Sequence, residues 1–372
     1  MKKTPLFERH LSANARMAPF AGYDMPISYK GINEEHHAVR NNTGLFDVSH
    51  MGEFIVKGKE ALDFINSVTS NDASVLKPGN VQYSCFPNED GGIIDDLLVY
   101  RLSDDQCSAG EQAFMLVVNA SNIEKDFNWL QKNNRYDTRL IDISEKTALL
   151  ALQGPKSILL LQELTATDLS QIPYYTFKKG SVAGIDNVLI SATGYTGAGG
   201  FELYVEEQNA LALWDILVEK GEKYELQLAG LGCRDTLRLE MGYCLYGNDI
   251  DDSTSALEAG LGWITKLNKG PFIQRDFLAE QKTKGLNRKL VGFILEDRRV
   301  PRHGYSIRNE KGENTGVVTS GTMSPSLNYP IGMGYVSVAD ASIGNKIFIS
   351  MGAKTLPAKV VKMPFLNNNG SK

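Results

Sequence analysis

The chain has 372 residues and a net charge of −5, with 42% hydrophobic and 22% charged residues. At roughly 150 residues per domain this predicts two or three domains, with apolar material for more than one core. The acidic balance excludes a nucleic-acid partner held by a basic surface, and no run of ~18 apolar residues is present to span a membrane.

In chain order, the opening Met1-Lys2-Lys3-Thr4-Pro5-Leu6-Phe7-Glu8 lacks the apolar run of a signal peptide, and Glu8 sits too early for a transit peptide. Apolar spacing predicts helices over residues 31–40, 60–68 (Leu62, Ile65 and Val68 on one face) and 123–132. A further helix runs from Pro155 to residue 161, where the missing N–H of proline costs little. The stretch 209–220, with Leu211, Trp214, Ile216 and Leu217, reads as an amphipathic helix ended by Gly221. Strands are predicted over 54–56, 112–118, 147–152 and 188–191. The polar stretch 282–287 reads as a linker, after which short β-prone runs (289–295, 316–320, 331–338, 346–350, 358–363) alternate with turn residues, the pattern of a small barrel or sandwich. Four cysteines without a C-x-x-C pair are expected as free thiols, which places the chain in the cytoplasm.

Several chemistries find no footing. There is no G-x-x-x-x-G-K-[ST] loop, and the glycines of 194–200 precede a strand instead of opening a helix. His36 and His37 are adjacent on a predicted helix and face about 100° apart, so they cannot share a metal. No zinc motif and no G-x-S-x-G elbow occurs, and no metal is expected.

Three features carry candidate chemistry. Residues 81–86 and 93–100 form a hairpin around the turn 87–92. Alternation puts Ile94, Asp96, Leu98 and Tyr100 on one face and Ile93, Asp95, Leu97 and Val99 on the other. Both aspartates have apolar neighbours, and such a carboxylate costs several kcal/mol unless it is paired or hydrogen-bonded. Asp95 reads as a strand-end residue satisfying turn amides; Asp96, farther from the turn, stays open to a functional role. Glu202, in Phe201-Glu202-Leu203-Tyr204-Val205, either faces solvent or meets a ligand with paired donors. The third feature is Gly230 to Glu240, where a helix starting near Cys233 places Arg234 in its first turn, disfavoured by the dipole unless Asp235 offsets it or an anionic or electron-rich group meets it. Tyr243 and Tyr246 follow as possible aromatic walls.

Together these stretches resemble the aminomethyltransferases (T proteins) of the glycine cleavage system over essentially the full chain. The resemblance rests on Thr4-Pro5-Leu6-Phe7-Glu8, Phe20-Ala21-Gly22-Tyr23-Asp24-Met25-Pro26, Phe46-Asp47-Val48-Ser49-His50-Met51-Gly52-Glu53 and Gly91-Gly92-Ile93-Ile94-Asp95-Asp96-Leu97. It continues through Gly194-Tyr195-Thr196-Gly197, Gly200-Phe201-Glu202-Leu203, Arg234-Asp235, Leu237-Arg238-Leu239-Glu240 and Thr319-Ser320-Gly321. The form F-D-V-S-H-M-G-E discriminates most, because related folate-binding demethylases vary it.

The resemblance implies an α+β fold: a folate-binding body of two interleaved subdomains, residues 1–281, followed by a C-terminal β-barrel, residues 288–372. It also implies that an aminomethyl group carried on the lipoyl arm of the H protein is cleaved, ammonia leaves, and the carbon ends on tetrahydrofolate, the co-substrate. By motif, Asp96 is the catalytic residue beside the folate nitrogens, orienting or deprotonating the attacking amine. Glu202 binds the amino group and ring N–H of the pterin edge, Tyr195 lines the same pocket, and Met51, Tyr83, Tyr100 and Asn119 lie near the cleft. Arg234 and Tyr243 flank folate and the incoming lipoyl arm. Two other functions belong to similar folds: a folate-dependent demethylase, and a non-enzymatic folate-binding protein of iron–sulfur maintenance, whose cysteine signature this chain lacks. Two departures stand out: Gln274 where the family has glycine, and a tail, Pro364 to Gly370, without the aromatic or basic residue that relatives place near folate, so no tail contact is assigned.

Overall fold

Two sheets laid face to face organise the first three quarters of the chain in the computed structural model, which describes residues 1–105 and 107–366. The first sheet is antiparallel, in the order Val81–Pro87, Ile93–Arg101, Gln112–Val118, Gly52–Gly58, Thr138–Asp142. The second runs Phe177–Val182, Ile185–Ser191, Gly200–Glu206, Thr147–Gln153, Thr43–Asp47, Leu226–Leu228, with only the last pair parallel. All strands of the first sheet come from residues 52–142, between the first and second strands that the chain contributes to the other sheet. The expected interleaving is therefore literal.

Packing explains why the strands are apolar on both sides. Phe46, Leu149, Ala151 and Tyr204 of the second sheet meet Val81, Tyr100, Met115 and Val117 of the first. On the outer faces, helices Ala61–Val68 and Ile123–Asn133 cover the first sheet with Phe64, Ile65, Val68 and Leu130, and helices Ser157–Gln162 and Ala210–Gly221 cover the second. Each such large side chain stabilises the fold by ~1.5–3 kcal/mol. The helix expected over 209–220 buries Ala210, Leu213, Trp214 and Leu217, an i, i+3, i+4, i+7 stripe; Leu211, assigned to that face from sequence, points outward.

The polar stretch 282–287 is not wholly a linker. Helix Arg275–Lys284 runs into it, and only residues 285–287 connect to the first barrel strand. Gln274 opens that helix at φ +63°, the left-handed region that favours glycine. The barrel closes in the order Arg288–Leu295, Pro330–Ser337, Asn314–Met323, Ser306–Arg308, Lys346–Met351, Lys354–Val361, around Phe293, Ile307, Val318, Val336 and Ile347. Sequence reading missed the three-residue strand Ser306–Arg308 and started the last strand late, beyond Pro357, which lies within it.

Buried charges bolt barrel to body. Arg238 donates to Asp249 at 2.6 Å and to Ser320 at 2.9 Å, while Thr319 donates to Asp249 at 2.5 Å. Glu240 accepts from Arg40, Ser324, Ser326 and, at 3.1 Å, His36. The backbone N–H of Phe365 donates to the Glu240 carbonyl at 2.9 Å, so the described part of the tail docks on a helix end; residues 367–370 of the tail lie outside the described residues. Among the described residues no helix is long and apolar enough to cross a membrane.

Candidate active site

The hairpin of the first sheet forms one wall. Its tight turn requires glycines: Gly91 has φ +86°, and a Cβ on Gly92 would lie 1.8 Å from the Asp252 carbonyl oxygen. On the two strands Tyr83 pairs with Leu98 and Cys85 with Asp96, which makes Tyr83 and Asp96 diagonal neighbours on one face. Tyr83, Asp96 and Leu98 are partly open while the residues around them are buried, so a cleft lies over this patch. Tyr83 donates its hydroxyl to Asp96 Oδ2 at 2.8 Å, and Asn119 donates Nδ2–H to Asp96 Oδ1 at 2.8 Å. Both donors favour the carboxylate. Burial and then the charge of Asp95 oppose them and win, pushing the Asp96 carboxyl up to about 7.

Asp95 points the other way and is fully buried. It accepts from the Asn119 backbone N–H at 2.9 Å, Asn119 Nδ2 at 2.8 Å and Asn122 Nδ2 at 2.7 Å. Its partners are therefore these asparagines and not the turn amides. Asn119 bridges the two aspartates, which fixes its amide with nitrogen toward both.

The opposite wall comes from the second sheet. Glu202 is 6% exposed on Gly200–Glu206 and accepts from the Thr193 hydroxyl at 2.5 Å. Burial raises its carboxyl, against the pull of Thr193 and Arg234. Tyr100 reaches across from the first sheet, its hydroxyl 2.9 Å from that of Tyr204, 3.1 Å from Ser191 and 3.2 Å from Thr193. Arg234 lies 4.8 Å over the Tyr195 ring, and its Nη1 is buried with no acceptor among the described residues. Tyr195 stacks on Tyr243 at 5.8 Å between centroids and donates its hydroxyl to the Cys244 carbonyl. Asp96 shares its strand face with Tyr100 and Glu202 shares its face with Tyr204, and these two tyrosines meet between the sheets, so both walls face one space. This arrangement offers a carboxyl that exchanges a proton near neutrality, and opposite it a buried acid with an unsatisfied guanidinium.

Comparison with known proteins decides what such a cleft belongs to. Residues 6–269 match the GCVT N-terminal domain, and residues 288–367 match the glycine cleavage T-protein C-terminal barrel domain. The chain is 57% identical over 366 residues to an aminomethyltransferase of Bacteroides thetaiotaomicron, covering 98% of this chain and 99% of that one. An aminomethyltransferase of Flavobacterium psychrophilum is 52% identical over 365 residues, again covering 98% and 99%. The crystal structure of glycine cleavage system aminomethyltransferase T from Bartonella henselae superposes with a TM-score of 0.90 at 35% identity, covering 98% of each chain. The chain belongs to the glycine cleavage T-protein family. Its reaction class is aminomethyl transfer, a one-carbon transferase activity of the glycine cleavage system.

Within the T-protein frame, the residues expected at the site divide. Tyr83, Asp96, Glu202, Arg234, Tyr195 and Tyr243 line the two walls, with Met51 packed at the edge of the inter-sheet core. Tyr100, expected against the ligand, is 0% exposed; it holds Thr193, the partner of Glu202, and does not line the cleft. Asn119 supports the aspartates. The Arg234 helix starts at Leu231, two residues before the expected Cys233, so Arg234 is its fourth residue and Asp235 pairs with Arg238 at 2.8 Å. Tyr246 stands apart from the Tyr195–Tyr243 stack, with its hydroxyl 2.8 Å from Lys125 and 3.1 Å from the Ile93 carbonyl.

Sequence reading passed over three aromatics and an acid. Trp263, 62% exposed, stands 6.1 Å from Tyr83. Tyr174 and Tyr175 form a turn closed by Thr176 N–H to Pro173 C=O at 3.0 Å, with Tyr175 held at φ +63° by bonds to Ala192 and Val81. A tyrosine pair after proline was the signal for these two. Glu53, the last residue of F-D-V-S-H-M-G-E, is buried with both carboxyl oxygens lacking a donor among the described residues, and burial raises it well above the carboxylate range. In the same motif Asp47 accepts from Thr4 at 2.6 Å, His10 at 2.9 Å and the Ser49 N–H at 2.9 Å, tying the chain start to the second sheet.

Proposed function

We propose that this chain takes the methylene carbon of S-aminomethyl-dihydrolipoyl H protein and transfers it to tetrahydrofolate, giving 5,10-methylenetetrahydrofolate, ammonia and dihydrolipoyl H protein. The observation that carries this reading is the partly open Asp96 facing, across one cleft, the buried Glu202–Arg234 pair. Glu202 suits the paired amino and ring N–H of a pterin edge, and the vacant acceptor position at Arg234 Nη1 suits a ligand oxygen. Tyr195 and Tyr243 would wall the ring between these groups.

The protein's own residues then divide the work. Tyr83 and Asn119 fix the plane of the Asp96 carboxyl by holding one oxygen each. Asp96 takes the proton released as the folate amine bonds to carbon, and its negative charge steadies positive charge building on that carbon. No activated nucleophile is required, and no covalent bond to the protein forms. The four free cysteines support a reducing compartment, which we take to be the cytoplasm.

The decisive assay mixes purified protein, aminomethylated H protein and tetrahydrofolate. Ammonia and methylenetetrahydrofolate should appear together; release no greater than in a control without the protein would overturn the reading.

A further inference from the structure

Asp126 is fully buried, yet no donor among the described residues reaches either of its carboxyl oxygens. It lies in the first turn of helix Ile123–Asn133, on the buried face with Leu130 and one turn after Asn122, whose amide donates to Asp95 at 2.7 Å, so that the Asp95 charge, after burial, raises its carboxyl. An ionised group there would cost several kcal/mol. The helix dipole offsets only part of that cost. Lys125, the nearest cation, is directed to the Ile94 carbonyl at 2.6 Å and the Tyr246 hydroxyl at 2.8 Å. A proton on Asp126 removes the deficit and leaves one hydroxyl to give, with Asp95 as the acceptor beside it. The reverse placement fails, because Asp95 already accepts three N–H donors, which favour its anion.

We infer that Asp126 is a positioning residue for the transfer: a neutral carboxylic acid that donates to Asp95 and so fixes a permanent negative charge behind Asp96. This rests on Asp96 as the proton acceptor of the proposed reaction. Asp95 and Asp96 share the Asn119 amide, each at 2.8 Å, so the charge on Asp95 bears directly on how tightly Asp96 holds a proton. The other ionisable groups around the cluster are Lys125, Asp252 at 3.9 Å from it, the phenols of Tyr83 and Tyr246, and the thiols of Cys85 and Cys244. Burial keeps these phenols and thiols protonated, so none adds negative charge beside Asp95, and none of them hydrogen-bonds to Asp126.

Infrared spectroscopy tests the proton directly. At about pH 8, where ordinary carboxyls are ionised, the wild-type minus Asp126→Asn difference spectrum should show the carbonyl stretch of a protonated carboxylic acid, over and above the band that the buried Glu53 leaves in both proteins. A Glu53→Gln protein without any such band overturns the inference, whether or not Asp126→Asn folds. Kinetics tests the consequence. Asp126→Asn keeps a neutral donor and should leave the acid limb of the pH–rate profile in place. Asp126→Ala removes the donor, lets Asp95 take up a proton, and should move the limb down by ~1 unit or more. An equal downward shift in Asp126→Asn would mean that Asp126 carried charge, and overturns the inference. Full activity of Asp96→Asn would sink the catalytic reading and leave the infrared result standing.

Discussion

Asp96 is set between opposing influences, and its behaviour follows from their balance. Tyr83 and Asn119 favour its anion; burial and Asp95 favour its neutral form more strongly, leaving it near 7. A base must be ionised to act, so kcat/KM should fall as pH drops through about 7 and level off above it. A profile flat from about pH 6 to 8 would remove Asp96 from the proton-transfer role. Asp96→Asn preserves the hydrogen-bonding shape and should lower turnover by ~10² or more while folate affinity stays within a few-fold; full activity would refute the assignment. Glu202→Gln loses the charge facing Arg234 and the acceptor capacity for a donor pair, so calorimetry should show weaker folate binding, and unchanged affinity would make Glu202 a purely internal partner of Thr193. Alternation in the sequence alone separated Asp96 from Asp95. It did not place Glu202, because one strand's pattern is silent about the first sheet, which packs over its face. Asp126 was legible in principle: with Leu130 four residues on and Ile123 three before, an acid occupied the apolar stripe of its helix.

At the scale of elements, the departures concentrate where backbone conformation is set by distant partners. Tyr175 adopts φ +63° because Val81 and Ala192, far apart in sequence, capture its carbonyl and N–H. No local pattern carries that information. Gln274 is a different case: its φ of +63° lies in the left-handed region that favours glycine, the residue the resemblance implies there. Left-handed backbone costs a side-chain-bearing residue ~1–2 kcal/mol, and glycine returns ~0.5–1 kcal/mol of that through unfolded-state entropy. Gln274→Gly should therefore raise stability by a few tenths to ~1 kcal/mol in urea denaturation; a clear loss would show that the glutamine side chain contributes a contact outweighing the strain. Most helices and most strands were readable from period, while helices Phe7–Ser12 and Arg275–Lys284 were passed over and Ser306–Arg308 was too short to show alternation.

At the scale of the molecule, the motif Leu237-Arg238-Leu239-Glu240 together with Thr319-Ser320 serves attachment. Breaking a buried ion pair by removing one partner costs ~3–5 kcal/mol, because the other charge is stranded. Arg238→Leu should lose that much, and Arg238→Leu with Asp249→Leu should recover a large part of it; additive losses would show that the two charges act independently. Glu240 reports on the same joint. Burial raises its carboxyl, but His36, Ser324 and Arg40 outweigh that and hold it at about 2. A depressed carboxylate stabilises the fold above its unfolded value near 4.5 and loses that contribution as pH falls toward about 2. Acid should therefore loosen the joint in that window, visible as a leftward shift of the urea midpoint that Glu240→Gln abolishes.

The interleaving of the two sheets sets the timetable of synthesis. A ribosome delivers the whole first sheet by residue 142, but the second closes only when Leu226–Leu228 pairs with Thr43–Asp47, laid down some two hundred residues earlier. At ~5–20 residues per second, the nascent chain carries the inward faces of Val81, Tyr100, Met115 and Val117 uncovered for several seconds. Chains stalled after residue 142 should be cut rapidly by protease and bound by chaperones, with protection appearing only once residue 228 has cleared the exit tunnel. The cleft, whose second wall also needs Arg234 and Tyr243, is completed only after that.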